Sequence, residues 1–304
     1  MSVLVIGGTG FIGRRVVRAF AAEGHQVVSA DVELTDLFDR HGIEATAIRL
    51  DISDFAAVRA AMERYAPKIV INLAYMRETT PHAAMKVNVL GMDNCLEAAR
   101  LTGVDHVVFA SSIAVNGRQA QYGDRAICED DPPYPTYQYA VHKVFNEWQA
   151  REYREKHGLT VTSIRVGHAA APGKLVGAVD HVQCITGPAT GAAVRFPFED
   201  KRRCVIHVDD VAEIFRRVAL KRCPDHSVYY TGGQTLSLGE IAEMVRERIP
   251  DADITFDAPT GGDAHSIAYR FDNRRLCEEF AFSLPDYRHR IAGLIEVARS
   301  KAPF

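Results

Sequence analysis

The stretch from Val3 to Gly13, VLVIGGTGFIG, constrains this chain more than any other. Four apolar residues run into Gly7, Gly10 and Gly13, and residues 11–22 then carry the apolar period of a helix. This is a strand, a glycine turn and a helix, the arrangement that cradles a dinucleotide. Gly7 permits the tight turn, Gly10 lets backbone N–H groups approach a pyrophosphate, and Gly13 lets helix pack on strand. The helix N-terminus adds roughly half a positive charge facing the phosphates.

A glycine triplet alone also occurs where only tight packing is required, so its context matters. QVVSA at residues 26–30 is a second short apolar strand, ending in Asp31 where the acidic residue of the dinucleotide fingerprint belongs. Asp31 is expected to accept from the adenosine ribose hydroxyls. A 2′-phosphate about 4 Å from that carboxylate would meet a repulsion of a few kcal/mol at an effective dielectric near 20. No Arg follows at Val32 or Glu33 to offset it, so NAD is expected rather than NADP.

The 304 residues can bury a large core, and a net charge of −3 without a basic stripe argues against nucleic acid and acidic membrane surfaces. A small-molecule partner is the default. Cys95, Cys128, Cys184, Cys204, Cys223 and Cys277 include no C-x-x-C pair, so neither a zinc site nor a disulfide framework is expected. The first strand leaves no room for a signal peptide and no apolar run is long enough to span a membrane, which makes a cytoplasmic setting the expectation.

Strands and helices alternate along the chain. Residues 45–49 form a third expected strand leading to Asp51 and Ile52, residues 54–65 a helix, and IVINL at 69–73 an almost wholly apolar central strand. A long helix over 81–102 containing Asn88 precedes the strand 106–110, which delivers Ser111 and Ser112. Groups at the carboxyl ends of parallel strands border the ligand crevice, although a serine there can also be only a cap. Residues 136–157 read as another helix, carrying Tyr139 and Lys143 four apart on one face. With the ammonium roughly 4 Å from the phenol, the phenolate gains about 4 kcal/mol before desolvation is subtracted, enough to move a tyrosine from about 10 toward neutrality. A surface pair at that spacing is equally common until Ser112 and the glycine turn stand beside it.

Taken together, these motifs resemble the extended short-chain dehydrogenases/reductases, the NAD-dependent epimerase/dehydratase group, over nearly the whole chain. The resemblance rests on GGTGFIG with Asp31, the pair Asp51 and Ile52, VNVLG with Asn88, SSIAVNG, Tyr139 and Lys143 as Y-x-x-x-K, and CVIHVDDVA at 204–212. It implies a Rossmann-type doubly wound parallel sheet with a smaller C-terminal substrate-binding lobe. Residues 1–166 and about 205–232 would bind NAD, and 167–204 with 233–304 would form the lobe. By position, Tyr139 would be the catalytic acid/base, Lys143 would lower its pKa and bind the nicotinamide ribose, and Ser112 would steady the reacting oxygen. Ser112 is preferred to Ser111 because it lies four before Asn116, where the family pattern has Tyr. Gly7, Gly10, Phe11, Ile12, Gly13, Asp31, Asp51, Ile52, Leu73, Ala74 and Asn88 would contact NAD.

On the substrate side, His168 stands where sugar-nucleotide members carry Asn, and Arg203 matches an Arg that clamps a diphosphate; Arg165 and Arg195 are alternative partners for an anion. Ile113 and Ala114 occupy the places of the Asp-Glu pair of dehydratases, which argues against dehydration. The leading expectation is a sugar or nucleotide-sugar epimerase. Alternatives are a net dehydrogenase of a sugar, sugar acid or other secondary alcohol and a catalytically silent NAD sensor. The resemblance also implies a homodimer formed through the helices over 81–102 and 136–157. Ser237 and Glu240 form an expected capping box.

Overall fold

The computed structural model describes residues 1–76, 80–174, 177–257 and 267–301. In chain order its first half contains β1 (Ser2–Ile6), α1 (Gly13–Ala22), β2 (Gln26–Asp31), α2 (Leu37–Arg40), β3 (Thr46–Arg49), α3 (Phe55–Tyr65), β4 (Ile69–Asn72), α4 (Pro81–Met85), α5 (Gly91–Thr102), β5 (His106–Ser112) and α6 (Gln138–His157). The second half contains β6 (Thr160–Val166), β7 (His168–Ala170), α7 (Asp180–Ala189), β8 (Val194–Phe196), β9 (Arg202–His207), α8 (Val208–Leu220), β10 (Val228–Tyr230), β11 (Gln234–Ser237), α9 (Leu238–Arg246), β12 (Ile254–Phe256), α10 (Arg274–Phe280) and α11 (Arg288–Ser300).

Alternation along β1 sets the layers. Val3 and Val5 point into a core shared with Val16, Val17 and Phe20 of α1 and Phe215 of α8, whereas Leu4 and Ile6 meet Val58 and Met62 of α3 and Leu96 of α5. Strands buried on both faces require helices on both faces, and the result is a seven-stranded sheet in the order β10-β6-β5-β4-β1-β2-β3. Every adjacent pair in it is parallel. The strand order reverses between β1 and β4, which opens the ligand crevice at their carboxyl ends beside the glycine turn.

A second core packs α7, α9 and α11 through Val182, Ile185, Ile241, Val245, Ile291 and Leu294. The capping box at the start of α9 is present, with Glu240 N–H donating to Ser237 Oγ at 3.0 Å and Ser237 N–H to Glu240 Oε2 at 2.6 Å. β9 straddles residue 205, where a boundary is expected. It pairs with β7 and β11 in a small three-stranded sheet, while α8 and β10 return to the large one.

Two expected elements differ in detail. β5 extends to Ser112 because Ser111 and Ser112 pair with Arg165 and Val166 of β6. The helix expected over 81–102 contains a π-helical segment, Lys86–Leu90, between α4 and α5. Asn88 stands at its centre. Its Oδ1 accepts from Met76 N–H at 2.9 Å, its Nδ2 donates to Met76 C=O at 3.1 Å, and its own carbonyl accepts from Asn146 Nδ2 at 2.9 Å. These bonds tie the chain leaving β4 to the helix and to α6 at a local departure from α-helical winding.

Candidate active site

At the end of β1 the chain turns through Gly7, whose φ of +78° suits glycine, and its N–H donates to Ala30 C=O at 2.8 Å. A Cβ on Gly13 would stand 2.0 Å from Gly7 O and 2.9 Å from Gly8 Cα, both backbone atoms. A Cβ on Gly7 would meet Ala74 N at 2.8 Å, so the end of β4 closes on the turn. Leu73 N–H donates to Ile6 C=O at 2.8 Å, completing that approach. Among the described residues no side chain caps α1, and no acidic residue stands in its first turn, which suits an anionic ligand at its N-terminus. These features fit a dinucleotide. Gly13→Ala forces a backbone clash at the turn, and the expected outcome is loss of measurable NAD binding by calorimetry with a lowered Tm; unchanged affinity would refute this reading of the turn.

Asp31 closes β2 at the rim of this cradle. Its carboxylate accepts from Thr9 Oγ1 at 2.6 Å, Thr9 N–H at 3.2 Å and Val32 N–H at 2.8 Å, which fixes its orientation. Asp51 Oδ1 accepts from Ser53 N–H at 2.9 Å and Ser53 Oγ at 2.8 Å, an exposed turn preceding α3. Ile52 is buried against Gly91, with its carbonyl held by Asn94 Nδ2 at 3.0 Å.

Ser112 ends β5 half-buried and caps the following 3-10 turn, its Oγ accepting from Ala114 N–H at 3.1 Å. The capping role is therefore real, and the hydroxyl proton remains to donate elsewhere. Lys143 is buried, and its Nζ donates to Ala110 C=O at 2.6 Å, two residues before Ser112. That bond seats α6 against the end of β5. The same Nζ lies 5.6 Å from the centroid of the Tyr139 ring. Burial lowers the Lys143 pKa to about 8, while the charge of Glu147 opposes the shift. The Tyr139 ring meets Tyr75 edge-on, with centroids 4.9 Å apart, and lies near-parallel to Tyr137 at 6.0 Å.

Glu147 escaped the sequence reading, although its signal is simple: Tyr139, Lys143 and Glu147 recur every four residues on one stripe of α6. Its carboxylate accepts from Ser111 Oγ at 2.6 Å, from Arg165 Nε at 3.0 Å and Nη2 at 2.8 Å, and from Ser163 Oγ at 3.3 Å. Arg165 continues through Nη1 to Tyr230 Oη at 2.8 Å, and Tyr230 donates to Asn116 Oδ1 at 2.7 Å. Ser112 is thus pinned on both sides, through Ser111 before it and Asn116 after it. Contrary to the expectation from sequence that Arg165 could meet a substrate anion, its guanidinium is consumed by a buried ion pair with Glu147.

Arg203 is brought near His168 but is likewise engaged. Its Nε donates to Asp180 Oδ1 at 3.2 Å, its Nη2 bonds Asp180 Oδ2, and its Nη1 donates to Arg202 C=O at 3.0 Å. Burial would raise the Asp180 pKa, but bonds from His181 and Arg203 hold it well below the usual carboxylate range. His168 begins β7 just past the end of β6; its Nδ1 accepts from Cys204 N–H at 3.2 Å, and burial pushes its pKa well down. The ring is therefore neutral, with its proton on Nε2. Arg195 lies apart from this group on the β8–β12 ribbon, exposed and paired with Asp257 at 2.9 Å.

A doubly wound sheet with a glycine turn, an acid closing β2 and a Tyr-x-x-x-Lys helix seated beside a serine at the end of β5 defines an extended short-chain dehydrogenase/reductase. A sequence model of the NAD dependent epimerase/dehydratase family matches residues 3–229, and the chain belongs to that family. It is 31% identical over 180 residues to L-arabinose 1-dehydrogenase (NAD(P)(+)) of Haloferax volcanii, covering 54% of this chain and 66% of that one. Several other curated relatives are matched over about half their length. A UDP-glucose 4-epimerase of Corynebacterium glutamicum is 27% identical over 270 residues, covering 81% of this chain and 80% of the relative. Among solved structures, the Thermus thermophilus UDP-glucose 4-epimerase in complex with NAD superposes with a TM-score of 0.85 at 26% identity, covering 99% of this chain and 100% of that one. NAD, the cofactor of the family, fits the cradle described above.

Proposed function

We propose that the chain is an NAD-dependent enzyme that moves a hydride at a secondary alcohol of a sugar or sugar derivative. The observation that carries this reading is the Lys143 ammonium, held by the Ala110 carbonyl beside the Tyr139 ring at the strand end that presents Ser112. Gly7, Gly10, Phe11, Ile12 and Gly13 hold the pyrophosphate, Asp31 the adenosine ribose, Asp51 and Ile52 the adenine, and Leu73 and Ala74 the nicotinamide side, which Asn88 supports by holding the backbone of Met76. Bound NAD supplies a hydride acceptor at nicotinamide C4. Tyr139, as phenolate, takes the hydroxyl proton, Lys143 stabilises that charge and binds the nicotinamide ribose, and Ser112 donates to the reacting oxygen. The described residues of 167–204 and 233–304 form the substrate-binding lobe, with His168 Nε2–H as a donor; 175–176, 258–266 and 302–304 of that assignment lie outside the described residues.

The leading form of this activity is an epimerase of a sugar or nucleotide sugar, matching several of the relatives. One observation favours net dehydrogenation of an alcohol without a diphosphate: the guanidinium of Arg203 is occupied by Asp180. The test is to purify the protein without added cofactor, release and identify bound nucleotide with acid, and then assay sugars, sugar acids and nucleotide sugars. Retained NAD and an isomerised product without net NADH establish the epimerase; NADH in proportion to substrate establishes the dehydrogenase; inactivity across the panel with NAD bound supports the sensor. Because Lys143 titrates near 8, turnover on the substrate so found is expected to fall as pH rises through about 8, where the ammonium is lost. A flat kcat/KM profile across that range would remove Lys143 from the proposed role.

The protein is further proposed to be a cytoplasmic homodimer. Among the described residues no helix is long and apolar enough to cross a membrane, and all six cysteines are free. Val141, Phe145 and Trp148 form an exposed stripe on α6, the side away from Lys143 and Asn146, and Met85 of α4 and Leu90 of the π-helical segment are exposed as well. Phe145 and Trp148 are 47% and 55% exposed, an apolar surface suited to a second copy. Light scattering is expected to give the mass of two chains for the wild type and of one for Phe145→Glu; a dimer that survives this substitution would place the interface elsewhere.

A further inference from the structure

Away from the cofactor cradle, a cavity of about 280 Å³ opens at the seam where α1 and the start of α8 meet α11. Arg15, Arg18, His207, Asp209, His289 and Arg290 line it, and none of the cradle glycines nor Asp31 does. Among the described residues, buried polar atoms without a hydrogen-bond partner gather here: Nε of Arg15 and of Arg290, Oδ1 of Asp209, and Nε of Arg14 nearby. Arg14 Nη2 reaches the position of Gly173, next to the rim residue Pro172. Arg15 is only 2% exposed. Guanidinium donors withdrawn from water and left unmatched are costly unless something else meets them.

Guanidinium groups crowd the cavity lining. Arg15 Nε and Arg18 Nη2 both approach Asp209 Oδ1, at 3.3 and 3.1 Å, the first without hydrogen-bond geometry, and Arg290 pairs with Asp210. Arg15, Arg18 and Arg290 thus bring three guanidinium groups to the cavity lining, with Arg14 behind them. His207 adds a neutral donor. Its Nδ1 accepts from Asp209 N–H at 3.2 Å, leaving the proton on Nε2, and burial brings its pKa to about 4. Crowded cations, guanidinium Nε donors without a hydrogen bond and an open volume call for a compact anion, which guanidinium forks bind through paired N–H donors.

We propose that this cavity is an anion-binding site that takes phosphate or a small phosphomonoester, joining α1, which carries the glycine turn, to α11 of the second core. The volume exceeds that of one phosphate and leaves room for a small attached group.

The experiment titrates inorganic phosphate into the NAD-saturated protein at constant ionic strength, so that the cofactor's own phosphates occupy the cradle. The expected result is one saturable site per chain, weakened at least about tenfold in Arg18→Gln and in Arg290→Gln, each of which removes charge-assisted donors. Absence of saturable binding, binding unaffected by both variants, or binding that vanishes when NAD is present would each overturn the proposal. Should either variant fold poorly, crystals of the wild-type holoenzyme soaked in selenate provide the second measurement. An anomalous peak among Arg15, Arg18 and Arg290 supports the site, and peaks only elsewhere reject it.

Discussion

Tyr139→Phe is expected to lower turnover by a factor of about 10² to 10⁴ on any substrate the wild type accepts, with NAD affinity near that of the wild type. The substitution removes one oxygen and keeps the ring, so the edge-on contact with Tyr75 and the near-parallel contact with Tyr137 survive. It takes away the only group on that stripe of α6 proposed to carry the substrate proton. The Lys143 ammonium, anchored on Ala110 C=O, stays in place but has no phenolate to stabilise. Single-turnover hydride transfer monitored at the nicotinamide absorbance, alongside calorimetric titration of NAD, separates chemistry from binding. Wild-type turnover in this variant would end the proposed mechanism, whereas loss of NAD binding would show that the hydroxyl serves the cofactor instead.

Glu147→Gln is expected to be the most destabilising of the conservative substitutions near the site. Glu147 and Arg165 are 10% and 5% exposed at their side chains, and the pair is joined by two parallel N–H donations. Removing one charge strands the other in a low-dielectric setting, at a cost of about 3–5 kcal/mol. A fall in Tm on the order of 10 °C follows for a chain of this size. Replacing both partners with Met is expected to recover much of the loss, because no buried charge is then left uncompensated. A thermal scan placing Glu147→Gln within a degree or two of the wild type would show that Arg165 finds another partner. If enough protein folds, the chemistry shifts as well. Glu147 raises the Lys143 pKa against burial, so its neutralisation lowers that pKa and moves the alkaline loss of activity to lower pH.

These two residues also mark how far the sequence could be read. Tyr139 and Lys143 are legible because helical spacing of four places them on one face, and Glu147 continues that face one turn further on. Asn88 was legible as a supporting residue. The π-helical segment around it was not, and the bonds Asn88 makes there reach the chain leaving β4, 12 residues away, and Asn146, 58 residues away. The arginines show the limit most plainly. Arg165 and Arg203 read as anion partners because a guanidinium presents free donors in a sequence, yet their carboxylates lie 18 and 23 residues upstream on other elements.

What the sequence by itself determined is what short-range physics governs. The glycine turn and the acid closing β2, the alternation of strands and helices, the capping box at Ser237 and the Tyr-x-x-x-Lys stripe all arise from sterics and hydrogen bonds within a few residues. The tertiary structure alone decided which cations remain available to a ligand and which are spent on buried carboxylates, that β9 joins a small sheet, and that Lys143 docks on Ala110. Each of these depends on pairing between distant segments, where burial strengthens a matched charge and penalises an unmatched one, and that balance exists only after the layers have packed.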